Sequence, residues 1–161
     1  MIKKEKIKRL LSTLQKKKIK ICIAESITGG NFAAELVKLK NASKVLDYSV
    51  VCYSNSSKLK FLNIGKEIEE FGVVSKEIAE LMAQNISQFS SHANLISISC
   101  TGQAGPTRLN NNYDIGTVFI AVVFKKKRKT VKKNIKFKNR IKVIETVTEE
   151  MIDLVLKTIK G

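Results

Sequence analysis

The sequence predicts an α/β fold: a single layered αβα domain over residues 1–161, with a mixed, mostly parallel sheet and a late antiparallel hairpin. Three observations lead there. Short apolar runs alternate with longer runs whose apolar residues recur at helical spacing, the pattern of a layered α/β domain. Polar segments containing glycine or serine close three of the apolar runs, as strand-to-helix turns do. Late in the chain a short lysine-rich turn joins two strand-like runs, so the sheet is mixed rather than purely parallel.

Residues 3–17 read as the first helix, with Ile7, Leu10, Leu11 and Leu14 on one face. A buried strand follows at 19–24, then a turn and a helix over 30–39. Residues 40–46 form a polar connection, and Asp47 to Ser54 reads as a strand. Ser54, Asn55, Ser56 and Ser57 offer N-caps for a short helix through Leu62. Phe71 to Ser75 is a compact connection. Ser75 caps a helix carrying Ile78, Leu81, Met82, Ile86 and Phe89. Leu95 to Cys100 is a central strand, and the loop Thr101 to Asp114 holds the only proline, Pro106. The hairpin runs from Gly116 to Phe124, around Lys126 to Lys129, and back from Val131 to Phe137. Asn139 caps the last helix, whose apolar stripe is Ile144, Val147, Met151, Leu154 and Val155. No internal repeat or low-complexity linker interrupts this order.

Composition narrows the function. With 161 residues and an apolar share of 43%, the chain suits one domain with a sizeable core. No apolar run reaches the roughly 18 residues of a membrane span. The basic N-terminus lacks the apolar stretch of a secretory signal, so a cytoplasmic protein without membrane partners is expected. Cys22, Cys52 and Cys100 form no C-x-x-C pair, and His92 is the single histidine. Buried free thiols are expected, with no metal and no cofactor. Cys52 and Cys100 stand beside candidate site residues, and strand alternation directs them to the opposite face.

The net charge of +16 invites a nucleic-acid reading. Against it, 26 of the 30 basic residues are lysine, and arginine is the better reader of phosphates and bases. The densest stretch, Lys125 to Arg140, carries ten basic residues and no acid. It coincides with the expected hairpin, where lysines discourage edge pairing. Aromatic residues do not interleave with the charges as a base-stacking surface requires. Specific nucleic-acid binding is therefore not expected. The apolar stripes are accounted for by a core, and they are equally compatible with a homo-oligomer.

Three polar clusters follow three expected strands, and in open α/β sheets ligands bind at the carboxyl ends of strands. The first is Glu25, Ser26, Thr28, Gly29 and Gly30; the second is Tyr53 and Ser54, with Lys58 five residues after Tyr53. The third is Thr101, Gly102, Gln103, Ala104, Gly105 and Pro106. In the first, the N–H groups opening the following helix favour an anion or an oxyanion, and Ser26 sits beside them. The same residue types also serve as ordinary turns and caps. Without a histidine base or metal cluster, a serine activated by a lysine is the most plausible covalent pair. Lys58 then needs a depressed pKa, while as a plain helix lysine it is solvated. Tyr53 either relays a proton or hydrogen-bonds Ser26, or else is a strand-end core aromatic. Thr101 either serves the site or simply opens the loop.

The order AESITGG, YSNSSK, GVVS, TGQAGP, IGTV and a basic-Asn-Arg segment before the closing helix resembles the CinA C-terminal domain family. The resemblance runs from about Leu10 to Ile159, and the chain looks like the stand-alone nicotinamide-nucleotide amidohydrolases of that family. It implies deamidation of nicotinamide mononucleotide to nicotinate mononucleotide and ammonia, a step in recycling pyridine nucleotides, with a nucleotide as the small-molecule partner. It also implies Ser26 as nucleophile, Tyr53 and Lys58 as its catalytic partners, and Thr101 as a fourth catalytic residue. Glu25, Thr28, Gly29 and Gly30 are then substrate-side residues, the two glycines supplying oxyanion N–H groups. Gly102, Ala104, Gly105 and Arg140 are candidates for the substrate phosphate. The chain departs from the family pattern in the run GPTRLNNNYDIGTV, which lacks further glycines and a Lys-Pro pair. It also has Asn41 and Ala42 before Ser43, and Ile27 where a cysteine is usual. The changes from Thr107 to Asp114 bear on substrate choice more than on fold or nucleophile. The alternative to an amidase is a catalytically weak ligand- or partner-binding member of the same fold.

Overall fold

The computed structural model describes residues 4–107, 112–136 and 139–160. The apolar runs become strands β1 (Lys20–Glu25), β2 (Leu46–Val51), β3 (Leu95–Gly102), β4 (Thr117–Phe124) and β5 (Lys127–Asn134). They form one sheet in the order β2-β1-β3-β4-β5. β1 pairs in parallel with both β2 and β3, while β4 runs antiparallel to β3 and to β5. Four of the five strands therefore point the same way, and the expected mixed, mostly parallel sheet with an antiparallel end is present.

The amphipathic runs become α1 (Lys4–Lys16), α2 (Asn31–Val37), α3 (Asn55–Leu62), α4 (Gly65–Phe71), α5 (Lys76–Ile86) and α6 (Arg140–Lys160). Alternation along each strand sorts the core into two layers. Ile21, Ile23, Ile96, Ile98, Ile120 and Val122 face α1, α2 and α6. Cys22 and Ala24 face α3 and α5, while Phe119 and Ala121 pack against Val74 and α5. Asn139 caps α6 through the N–H groups of Ile141 and Lys142. Ser75 accepts from the N–H of Ile78 at the start of α5.

The structure moves several expected boundaries. β2 starts at Leu46 and ends at Val51, because Ser54 leaves the strand to cap α3. α4 fills a stretch that the sequence pattern leaves unassigned; with no fully buried residue, it carries little apolar periodicity to read. Phe89 leaves the core stripe after α5 tightens into a 3₁₀ turn, and it is exposed. The hairpin turn is Lys125–Lys126, not Lys126 to Lys129, and β5 begins at Lys127. Both turn residues have positive φ (49° and 63°), as a two-residue type I′ turn requires. Pairing with apolar β4 holds lysine-rich β5 in place despite its weak intrinsic strand preference. Phe137, the expected end of that strand, and Arg108 to Asn111 of the altered loop lie outside the described residues. No helix among the described residues is long and apolar enough to cross a membrane.

Candidate active site

Parallel pairing brings the carboxyl ends of β1, β2 and β3 to one edge of the sheet. Ser26 follows the last residue of β1 and is 7% exposed. The chain leaving β2 stays tied to it, because the N–H of Cys52 donates to the Glu25 carbonyl at 2.8 Å. Four residues after Ser54 caps α3 in a reciprocal box with Ser57, the helix delivers Lys58 inward. Lys58 is 1% exposed. Its Nζ donates to Ser26 Oγ at 3.0 Å and to the Cys52 carbonyl at 2.8 Å.

Burial lowers the Lys58 pKa from 10.5, outweighing the opposing influence of the Cys52 and Cys100 thiols. A neutral Lys58 amine keeps its donor bond to Cys52 and presents a lone pair to the serine hydroxyl. The contact then reverses, and Oγ–H donates to Nζ. The thiols do not compete as nucleophiles, since burial raises Cys52 and pushes Cys100 up to about 11. Cys100 faces the α1–α2–α6 layer as expected, its sulfur 3.2 Å from Thr28 Oγ1. The Cys52 side chain is buried in the α3–α5 layer with Leu62, Ile78 and Met82, while its backbone carbonyl, past the end of β2, holds Lys58.

Ser26 opens into a cavity of about 310 Å³ that Tyr53, Gly102, Ala104, Gly105 and Arg140 also line. Arg140 comes from the start of α6. It donates to the Tyr53 hydroxyl and, at 2.6 Å, to the Gly105 carbonyl. Tyr53 is 57% exposed and stands at the mouth. Its hydroxyl is thus engaged by Arg140, and the expected bond to Ser26 is replaced by this one. Gln103, a member of the third polar cluster to which the sequence assigns no role, lines the cavity and is buried. Its amide donates to the Tyr113 carbonyl at 2.9 Å, fastening the start of the loop to its return. A polar side chain between two small residues at a strand end was the available signal.

Three expectations about the first and third clusters change. Glu25 is fully buried, and its carboxylate accepts from Thr28 Oγ1 (2.6 Å) and from the N–H groups of Gly30, Phe32 and Ala33 at 3.0–3.1 Å. Glu25 and Thr28 therefore face the turn rather than the cavity. The N–H of Gly29 donates to the Ser26 carbonyl, so neither glycine N–H is aimed at an oxyanion. The reason is electrostatic: the positive end of α2 is filled by a carboxylate from its own segment, which repels a second anion. Thr101 shares the buried side of β3 and donates its hydroxyl to the Val73 carbonyl at 2.7 Å, tying β3 to the start of α5. Gly102 has a packing reason, since a Cβ there would lie 2.8 Å from the Thr117 carbonyl oxygen. Among the described residues no group of three or more His, Cys, Asp or Glu side chains converges.

Fold and site define a class: three-layer α/β domains that hold a serine–lysine pair at the carboxyl edge of their parallel strands. The chain belongs to the CinA C-terminal domain family, whose model matches residues 3–159. A CinA-like protein of Flavobacterium psychrophilum is 34% identical over 148 residues, covering 91% of this chain and 34% of that protein. A competence or damage-inducible protein of Enterobacter asburiae has a TM-score of 0.90 at 26% identity, covering 96% of each chain. The competence damage-inducible protein A of Klebsiella pneumoniae shares the fold, with a TM-score of 0.93 at 22% identity over 100% of this chain and 99% of that one. The chain spans about a third of the length of the curated relatives it matches.

Proposed function

We propose that this chain is a nicotinamide-nucleotide amidohydrolase that converts nicotinamide mononucleotide to nicotinate mononucleotide and ammonia. The observation that carries the reading is the Ser26 Oγ–Lys58 Nζ contact of 3.0 Å, on a lysine that burial drives toward its neutral form. Neutral Lys58 takes the hydroxyl proton as Ser26 Oγ attacks the carboxamide carbon. The resulting ammonium returns the proton to the departing nitrogen, and ammonia leaves an acyl-serine. Water, deprotonated by the same amine, hydrolyses that ester and restores Ser26. With the α2 turn occupied by Glu25 and the Gln103 N–H given to the Thr117 carbonyl, the oxyanion is assigned to the Ala104–Gly105 segment that lines the cavity.

Arg140 is the substrate phosphate's partner in this reading. Its guanidinium has five N–H groups, and two bonds to Tyr53 and Gly105 leave donors for an anion. Tyr53 acts with Arg140 at the mouth, and Thr101 positions β3 rather than touching the reacting atoms.

The deciding experiment is ammonia release from nicotinamide mononucleotide by the purified chain beside its Ser26→Ala variant. The expected loss is at least about a thousandfold, with the thermal transition unchanged. Release that survives the substitution excludes Ser26 as nucleophile. A folded wild-type chain that releases no ammonia supports the alternative, a binding member of the same fold.

A further inference from the structure

At the edge of the sheet opposite Ser26, a cavity of about 730 Å³ opens between the hairpin and the ends of two helices. α1 ends at Lys16 and α6 at Lys160, while β4 continues to Phe124. Phe124, with buried Ile19 and Ile159, forms an apolar floor there. Register pairs Lys129 with Val122 and Lys127 with Phe124, so both lysines share the sheet face of that floor. Lys17, Lys125 and Lys160 line the hollow from the end of α1, the hairpin turn and the end of α6. Among its described lining residues there is no Asp or Glu.

Two observations separate this cluster from scattered solvated lysines. The carboxyl ends of α1 and α6 contribute roughly half a negative charge each, which five lysines exceed severalfold. In addition, the turn places lysines at two left-handed positions where glycine or asparagine would relax the backbone. One of them, Lys125, holds its ammonium 5.3 Å over the Phe124 ring.

We propose that this hollow is a second small-molecule site, for a nucleoside polyphosphate. The phosphates sit among Lys125, Lys127 and Lys129, and the base lies on Phe124, Ile19 and Ile159. The volume suits a ligand of that size, and the combination of an apolar floor with a cationic rim suits its two halves.

Calorimetric titration of the full chain with adenosine triphosphate tests this, with inorganic triphosphate and a single-stranded oligonucleotide as comparators. The expected result is one saturable site that weakens with salt and prefers adenosine triphosphate over inorganic triphosphate. Affinity falls about tenfold or more in the double variant Lys127→Glu, Lys129→Glu, and holds in Arg140→Ala. Phe124→Leu keeps triphosphate binding and loses the preference for the nucleotide. Absence of saturable binding overturns the proposal. So does equal affinity for inorganic triphosphate, binding lost in Arg140→Ala instead, or an oligonucleotide that binds where the triphosphate does not.

Discussion

The two edges of one sheet use lysine in opposite ways. At the carboxyl edge a single lysine, Lys58, is 1% exposed and faces one hydroxyl and one carbonyl. At the amino edge five lysines, all exposed to water, surround an open hollow. The side chain is the same; the difference is solvation, and it decides between a base and a cationic surface. In the functions proposed for them, chemistry at the first edge comes from withholding water from one amine, and recognition at the second from summing many exposed charges.

The sharpest way to break this comparison is to remove the buried amine. Lys58→Met should lower ammonia release by about a thousandfold while leaving stability equal or higher, because an uncharged chain replaces a desolvated amine. In the wild type, kcat/KM should rise with pH to a plateau whose midpoint lies below the ordinary lysine value of 10.5. Between the folded and unfolded pKa of Lys58 the unfolded chain binds more protons, so its contribution to stability rises with pH there. A pH–rate profile with an ordinary lysine midpoint would sink the role given to Lys58.

Glu25 is a buried carboxyl group at the same edge, and it is held by donors. Glu25→Gln should destabilise the fold by about 2 kcal/mol, since an amide cannot accept from four donors as a carboxylate does. Denaturant unfolding checks this; an unchanged midpoint would mean that α2 is capped some other way. Arg140→Ala should raise KM for nicotinamide mononucleotide about tenfold and leave kcat within a few-fold, the split expected of a group that binds the phosphate. A loss confined to kcat would place Arg140 in the chemistry instead.

The smallest effect belongs to the amino edge. Lys126→Gly relieves a left-handed residue in the hairpin turn and should stabilise by up to about 1 kcal/mol, without touching ammonia release. Thermal melting reads this directly, and a lowered transition would show that the lysine side chain contributes packing that outweighs its backbone cost.

Much of the architecture was legible because it rests on period. Alternation and helical spacing are local, so the sheet strands, α1, α5 and α6 could be read from the chain. α4 escaped because it buries little, and the start of β5 escaped because its lysines obey a partner strand rather than their own preference. Within the site, AESITGG correctly marks a helix start with an anion. The anion is Glu25 itself, which the turn folds back onto the N–H groups of residues five to eight positions later. A carboxylate entering a buried helix start is a cue that capping physics offered and the motif reading passed over.

The sequence by itself determined the layered α/β class, the three polar strand ends and the residue types available for chemistry, because periodicity and composition are properties of the chain. Only the tertiary structure decided which of those residues meet. Ser26 and Lys58 are 32 positions apart and become neighbours through parallel pairing of β1 with β2 and the cap of α3. Arg140, 87 positions from Tyr53, reaches it because α6 starts at the same edge. Thr101 and Glu25 are drawn to partners inside the fold. Contacts of that kind depend on burial and long-range register, and a buried donor or acceptor takes the nearest partner that replaces water.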